Sequence, residues 1–558
     1  MKMEHTSISM VTGNPRGQSG TSKINIPNGK NKNDSFGFNE VLNKKSGWNV
    51  LIASLAEFLG TAVLIFVGCS GCLGSLGSQP PPFQVAFVFG FTVTLIIQSI
   101  GHISDAHINP AITIGSIVLG KKSLAVGIFY IFAQCAGAIV GYGFLKIVTP
   151  IDIMYATNHT GVDSFCVTQL NEKIHPIQGF LIELAATGVL MFMCSAVWDS
   201  RNEKNSDSIP IKFGLVIAGL CMVFGPHTGC SLNPARSLGP ALWTGSWDKH
   251  WIYWLGPMTG AFIASVLYRW IFAEKLKSSV SSLPVKAEVN ANSSQARTEN
   301  ELNKIIYGEG DIWQTFIAGI AELVGTALLI LLGCGGCADG MASTELQKTL
   351  VFGLTVMIVV QCFGHISHAH VNPAITVGSV ILGKKPIAEA MVFIIAQNLG
   401  AILGYGLLKM MIPSSSFGVN FCVTNIKVSS SQGFMIETIS TMILMTLACA
   451  VWDERNKLNT DSTALKFGLA VTCLATVFGP YTGCSMNPAR SFGPAVWSNN
   501  WSQHWIYWIA PIIGAALASF IYRFIFNRKT TTTDDKSLSP EAVALNSFST
   551  YGVEKSEA

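Results

Sequence analysis

Apolar residues in this chain come in long unbroken runs, not in the alternation of a half-buried strand or the narrow stripe of a surface helix. Runs lie at about 49–69, 83–101, 124–147, 177–198, 211–226 and 250–273. A second set follows at about 312–333, 349–364, 386–410, 432–452, 465–480 and 504–526. Roughly 20 apolar residues carry a helix across the hydrocarbon core, so the pattern predicts an all-α membrane protein with six spans in each half. The fifth run of each half is the shortest. Outside the runs the chain is polar. This divides it into an N-terminal segment 1–47, a first unit 48–275, a linker 276–310, a second unit 311–527 and a tail 528–558. The N-terminal segment, linker and tail are expected to be flexible or disordered. No apolar h-region precedes the first span, which therefore serves as its own insertion signal.

The two halves repeat each other. AEFLGTAVLIFVGCSGC aligns with AELVGTALLILLGCGGC, and HWIYWLGP with HWIYWIAP. Each half divides again, because Ala56–Thr61 opens its first three spans and Ile182–Thr187 its next three. Three is an odd number, so the second triplet enters the membrane upside down relative to the first. Inverted repeats of this kind place the working site at mid-membrane, where the triplets meet. Glycines on the spans (Gly137, Gly141 and Gly143; Gly400, Gly404 and Gly406) suit close helix packing.

Of the 558 residues, 49% are hydrophobic and only 12% charged, about half the charge of a soluble domain. The net charge of +4 argues little about partners, whereas its distribution matters; the lipid bilayer is the expected partner and nucleic acid is not. Basic residues cluster before the first span (Lys44, Lys45), after the second (Lys121, Lys122; Lys384, Lys385) and between the fourth and fifth (Arg201, Lys204, Lys212; Arg455, Lys457, Lys466). The loop 70–82 has none, and 149–176 has only Lys173. The positive-inside rule then puts both termini and the linker in the cytoplasm, in a multi-pass protein expected in the plasma membrane. That orientation exposes the sequon at Asn158 to the outside, leaves Asn292 bare in the cytosol and sets Asn500 close to the membrane.

Asn-Pro-Ala occurs four times, in two alternating frames. Asn109-Pro110-Ala111 and Asn372-Pro373-Ala374 follow Gly-His-Ile-Ser-x-Ala-His; Asn233-Pro234-Ala235 and Asn487-Pro488-Ala489 follow Thr-Gly-Cys-Ser and precede Arg. Asn caps a helix and Pro suits its first position, so each motif alone marks a helix start. Together with the inverted repeats, these frames resemble the aquaporins of the major intrinsic protein family, written twice in tandem over about 47–275 and 311–527. Within that family the chain is similar to insect members of the entomoglyceroporin-like branch, in which a filter histidine is replaced.

The resemblance implies two right-handed bundles, each of six transmembrane helices plus two half-helices with inverted internal repeats. Irregular backbone at membrane depth survives where it lines a wet cavity, and 105–108 and 229–232 would be such backbone. The half-helices would meet N-terminus to N-terminus, with the Asn109 and Asn233 amides donating to a passing water and two positive helix ends repelling cations. Asn372 and Asn487 would repeat this in the second unit. The family pattern further implies a four-residue filter: Phe89, Cys221, Cys230 and Arg236 in the first pore, Phe352, Ala475, Cys484 and Arg490 in the second. Water-selective relatives carry histidine where this chain has Cys221 and Ala475, so a wider opening passing glycerol or urea as well as water is expected. Ser237 and Ser491, where typical glycerol channels have Asp, argue the other way, as do Tyr253-Trp254 and Tyr507-Trp508; a water-only channel is the alternative.

Glu57, Glu183, Glu322 and Glu437 sit inside spans. They are read as braces for the pore backbone in preference to a proton relay, with His107 and His370 shaping the loops beside them. His102, His365 and His368 bring no carboxylate pattern of a metal site. Asp105 and His368 stand where relatives often have Gly, which leaves pH sensitivity at the inner mouth open. Cys69-x-x-Cys72 and Cys334-x-x-Cys337 are read as small packing residues; Cys166 and Cys422, in equivalent outer loops, are candidates for disulfides. No nucleophile–base set or nucleotide loop appears, so neither an enzyme nor a cofactor is expected. A coupled transporter would need more ionisable groups than these glutamates. A junctional protein with little permeability would not need intact filters in both units. Relatives assemble as tetramers of single units, so two tandem chains would supply four pores.

Overall fold

The computed structural model describes residues 44–73, 80–149, 165–273, 312–338, 344–413, 417, 420–457 and 460–526. The expected flexible segments 276–310 and 528–558 lie outside these, as do the sequons at Asn158 and Asn292; of the segment 1–47, residues 44–47 are described and correct that expectation, since they form the first turn of a helix that starts at Lys44. The first unit contains α1 (Lys44–Ser70), α2 (Pro82–Ser104), α3 (Pro110–Val118), α4 (Leu124–Val148), α5 (Pro176–Val197), α6 (Ile209–Thr228), α7 (Pro234–Thr244) and α8 (Ile252–Leu267). The second repeats them as α9 (Ile312–Gly335), α10 (Glu345–Ser367), α11 (Pro373–Ile381), α12 (Ile387–Met411), α13 (Ser430–Val451), α14 (Thr463–Thr482), α15 (Pro488–Ser498) and α16 (Ile506–Ile521).

Among the described residues, eleven helices are long and apolar enough to cross a membrane. The remaining crossing is α8, whose 16 residues continue into a five-residue π-helical turn, Tyr268–Phe272. The fifth spans, expected to be short, are helices of 20 residues each, because Pro226 and Pro480 sit inside the helix and do not end it.

Packing follows the inverted repeat. Helix α1 pairs with α4 and α5 with α8, while α2 and α6 pair between the triplets; α9–α12, α13–α16 and α10–α14 do the same in the second unit. These pairs are close because glycine permits it: a Cβ on Gly141 would collide with the Ala62 carbonyl, and one on Gly260 with the Leu184 carbonyl. The outward face of α1 (Leu51, Leu55, Leu59) is exposed, whereas Glu57 and Thr61 on its other face are fully buried. In water that would be inside-out; in lipid it is the expected order. Exposed Trp243, Trp247 and Trp251, with Trp497, Trp501 and Trp505, form interfacial girdles at the ends of α7 and α15. Asn500 sits within the second girdle.

The units share a core. Phe192 and Phe272 of the first pack their rings 5.8 and 5.6 Å from Phe363 of the second. Polar contacts rim this joint: His365 bonds Asn202 (3.0 Å) and Tyr268 (2.8 Å), and the buried Lys212 reaches Asp461 (3.3 Å).

Candidate pore site

Helices α3 and α11 have 9 residues and α7 and α15 have 11, so each spans about half the hydrocarbon thickness. The backbone ahead of them is unusual. Ala106 and Ile108 have φ of 47° and 45°, and Cys230 and Leu232 of 47° and 56°. A left-handed conformation is costly at a β-branched residue such as Ile108 and persists only where its surroundings impose it.

Buried glutamates impose it. Glu57 accepts from the backbone N–H of His107 (2.9 Å) and Ile108 (2.6 Å), and from the side chains of Ser104 (2.6 Å) and Gln134 (2.7 Å). Glu183 accepts from the N–H of Ser231 and Leu232, both at 2.9 Å, and from Thr228 at 2.6 Å. Glu322 and Glu437 repeat these contacts with His370, Val371, Ser485 and Met486. With consecutive N–H groups turned toward a carboxylate, the carbonyls of the segment face the other way. Residues 105–109 and 229–233 line one cavity of about 1290 Å³ in the first unit.

At mid-cavity the half-helices interlock. Asn109 caps α3 by accepting from the Ala111 N–H (2.9 Å), and its amide donates to the Leu232 carbonyl (2.8 Å). Asn233 caps α7 and donates back to the Ile108 carbonyl (2.8 Å). Asn372 donates to Met486 and Asn487 to Val371, each at 2.8 Å. An amide has two N–H donors; one is used here, which leaves the other for whatever occupies the cavity. Pro110, Pro234, Pro373 and Pro488 occupy first helical positions, and Ala111, Ala235, Ala374 and Ala489 are fully buried beside them.

Phe89, Cys221, Cys230 and Arg236 all line the first cavity. Phe352, Ala475, Cys484 and Arg490 line the equivalent cavity of about 320 Å³ in the second unit. The Arg236 guanidinium lies 4.9 Å over the Phe89 ring and donates to the Cys166 carbonyl (2.8 Å). Arg490 lies 4.8 Å over Phe352 and donates to the Cys422 carbonyl (2.9 Å). Each arginine is held against one wall, and Cys221 or Ala475 contributes a thiol or a methyl group to the lining of the same cavity.

The family model for major intrinsic proteins matches residues 44–268 and again 310–522. The chain belongs to the major intrinsic protein family. It is 36% identical over 264 residues to aquaporin-4 of Mus musculus, covering 45% of this chain and 79% of that one. It is also 36% identical over 228 residues to aquaporin-2 of Rattus norvegicus, covering 40% and 80%. Among solved structures, the aquaglyceroporin from Plasmodium falciparum matches at 25% identity and a TM-score of 0.36, over 40% of this chain and 96% of that one. As a tandem major intrinsic protein the chain is a multi-pass membrane channel and not an enzyme.

His107 and His370, read as shaping the pore loops, each bond the threonine one turn into their half-helix (Thr113 and Thr376, 3.2 Å) and pack on Trp198 or Trp452. Asp105 and His368 have φ of 70° and 72°, a left-handed turn that explains a glycine preference there. Asp105 pairs with Lys122 at 2.9 Å. Cys69 corrects the packing assignment, since it is bonded to Cys166 as a disulfide. Apolar surroundings among glycines hid its partner, which lies 97 positions away.

Proposed function

We propose that each unit is a passive pore for water and small uncharged solutes, glycerol and urea among them, that excludes protons and ions. The observation that carries this reading is the reciprocal bond between Asn109 and Asn233 and the opposite pore loops, beside a filter that has Cys221 or Ala475 in the same cavity as a pinned arginine. A molecule at mid-cavity meets amide donors and two positive helix ends, which orient a neutral dipole and repel a cation. Removing an imidazole from the filter leaves room for a carbon chain, while the arginine still donates to a hydroxyl or a urea carbonyl. The relatives named aquaporin-4 and aquaporin-2 support the water part of this reading.

In this proposal the filter side faces outward, both termini are cytoplasmic and the membrane is the plasma membrane. Two chains close a ring of four pores, because the face that α9 and α10 present to the first unit is repeated by α1 and α2. The test is stopped-flow light scattering on proteoliposomes of the full chain. Fast shrinkage in sucrose, re-swelling in glycerol or urea, and no proton leak are the expected results. Solute uptake that depends on an ion gradient would instead make the chain a coupled transporter.

A further inference from the structure

Each pore carries three cysteines around the anchor of its filter arginine. In the first unit Cys69 and Cys166 are bonded, and the Cys72 sulfur lies 3.7 Å from that of Cys166. In the second unit the equivalent loop cysteine, Cys422, lies 2.7 Å from the Cys337 sulfur instead. The loop cysteine is bonded to the first member of Cys-x-x-Cys in one unit and lies unbonded beside both members in the other. The two units thus hold one cluster in two arrangements.

Access divides the three. Cys69 and Cys334 are fully buried. Cys72 and Cys166 line the first cavity, and Cys337 and Cys422 the second. A small molecule in the vestibule therefore reaches the loop cysteine and the second cysteine of the motif, but not the first.

The loop cysteine also holds the filter. Its carbonyl accepts from the filter arginine in both units, and its sulfur lies 3.7 Å from the second guanidinium nitrogen of Arg236 or Arg490. A cation at that range favours the thiolate, the form that attacks a disulfide or leaves one. At Cys422, burial pushes the thiol's pKa up, but hydrogen bonds from the neighbouring Cys334 and Cys337 thiols and the Arg490 charge outweigh it and hold that pKa well below the ordinary range. Tyr142 and Tyr405 pin the preceding carbonyls of Phe165 and Phe421 (2.7 and 2.8 Å), and the loop cysteines themselves have φ of 56° and 53°. The cysteine is a pivot between a fixed neighbour and a choice of sulfur partners.

We propose that Cys69, Cys72 and Cys166, and likewise Cys334, Cys337 and Cys422, form a thiol–disulfide exchange site at the filter-side mouth of each pore, open to small thiols and disulfides. In the first unit burial pushes the Cys72 thiol up to about 11 against the pull of Arg236, so exchange runs through its minor thiolate fraction: that thiolate attacks the Cys166 sulfur, the new bond forms as the Cys69–Cys166 bond breaks, and Cys69 leaves as thiolate and takes up the proton that Cys72 lost. No net oxidation occurs. In the second unit the oxidant is a low-molecular-weight disulfide such as glutathione disulfide. The Cys422 thiolate attacks it and expels one thiolate. Cys337 then attacks the mixed disulfide and expels the second, so two protein protons end on two molecules of small thiol. Either bond fixes the carbonyl that holds the filter arginine, and its release lets that arginine leave the wall.

The test uses the full chain in liposomes, equilibrated with glutathione or glutathione disulfide, quenched with an alkylating agent and mapped without reduction. The expected map shows Cys166 linked to Cys69 in part of the protein and to Cys72 in the rest. After the disulfide, Cys422 is linked within its cluster or to glutathione, while the buried Cys194 and Cys362 stay free thiols. Water flux, on the channel reading above, changes between the two conditions, and the Cys72→Ser, Cys337→Ser variant loses that response. Cys166 found only with Cys69, together with an unmodified Cys422, overturns the exchange site. Exchange without any change in flux overturns the arginine's part in it. Liposomes that carry no flux at all count against the channel reading alone, because the peptide map still decides the exchange site.

Discussion

The Glu57 carboxylate accepts the N–H of Ile108 at 2.6 Å, across 51 positions of sequence. This bond forces a β-branched residue into a left-handed turn and aims a carbonyl at Asn233. Glu57→Gln keeps one acceptor oxygen but turns an amide donor toward the donors of Ile108 and Gln134. An orphaned buried donor costs about 1–3 kcal/mol, so the variant should melt at lower temperature. Water flux should fall but persist through the second unit, which has its own brace in Glu322. Thermal unfolding in detergent and vesicle shrinkage check both; an unchanged melting temperature would remove the bracing argument.

The filter makes a separate prediction. Cys221 and Ala475 line the same cavities as arginines that are pinned to Phe89 and Phe352. Cys221→His with Ala475→His restores an imidazole in both pores, narrowing them and adding a donor that suits water better than a carbon chain. Glycerol flux should be largely lost while water flux stays near its original value. Glycerol uptake that survives the double substitution would show that width at this position does not set selectivity.

How much of this was legible depended on whether a residue's partner was written into the local pattern. The half-helices were legible because Asn and Pro carry their capping role with them. The glutamates were legible because the same residue recurs at the same place in every triplet. The Cys69–Cys166 bond was not, since nothing local distinguishes Cys69 from its neighbour Cys72. The joint between the units was hidden for a sharper reason. His102 and His365 sit in the same Gly-His-Ile-Ser frame, yet His102 is exposed while the His365 side chain is buried against Asn202 and Tyr268. Only one of the two faces a neighbouring unit within the chain, and sequence does not say which.

That joint has a charged anchor outside the spans. Burial alone would raise the Asp199 carboxyl, but bonds from Arg201 and Tyr268 outweigh it and bring it down from 3.8 to about 2. A carboxylate held low stabilises the fold fully above its unfolded value and loses that contribution as pH falls through about 2. The shift corresponds to roughly 2 kcal/mol. The joint should therefore stay intact at pH 4.5, with stability lost only in stronger acid. Asp199→Asn should lower the melting temperature at neutral pH and flatten its fall below pH about 4. Identical melting curves for variant and parent across that range would show that the carboxylate does not stabilise the fold.

The same reasoning bears on assembly. His365 of the second unit meets Asp199 of the first at 3.7 Å, and the repeat places His102 and Asp453 in the corresponding positions on the two outer faces. One chain cannot bring those faces together, because the first unit already uses α5 and α6, and the second α9 and α10, in the internal joint. In the proposed two-chain assembly a second copy, turned by a half rotation, would close both at once, and a closed ring would leave neither face unmatched. Asn202 bonds His365 at 3.0 Å, so Asn456 of one copy should approach His102 of the other as closely. His102→Cys combined with Asn456→Cys should then cross-link under mild oxidation in membranes, giving a band at twice the 59.9 kDa of one chain. Neither single substitution should do so. A double variant that runs only as the single chain, with both cysteines still open to alkylation, would show that four pores do not come from two chains in this way.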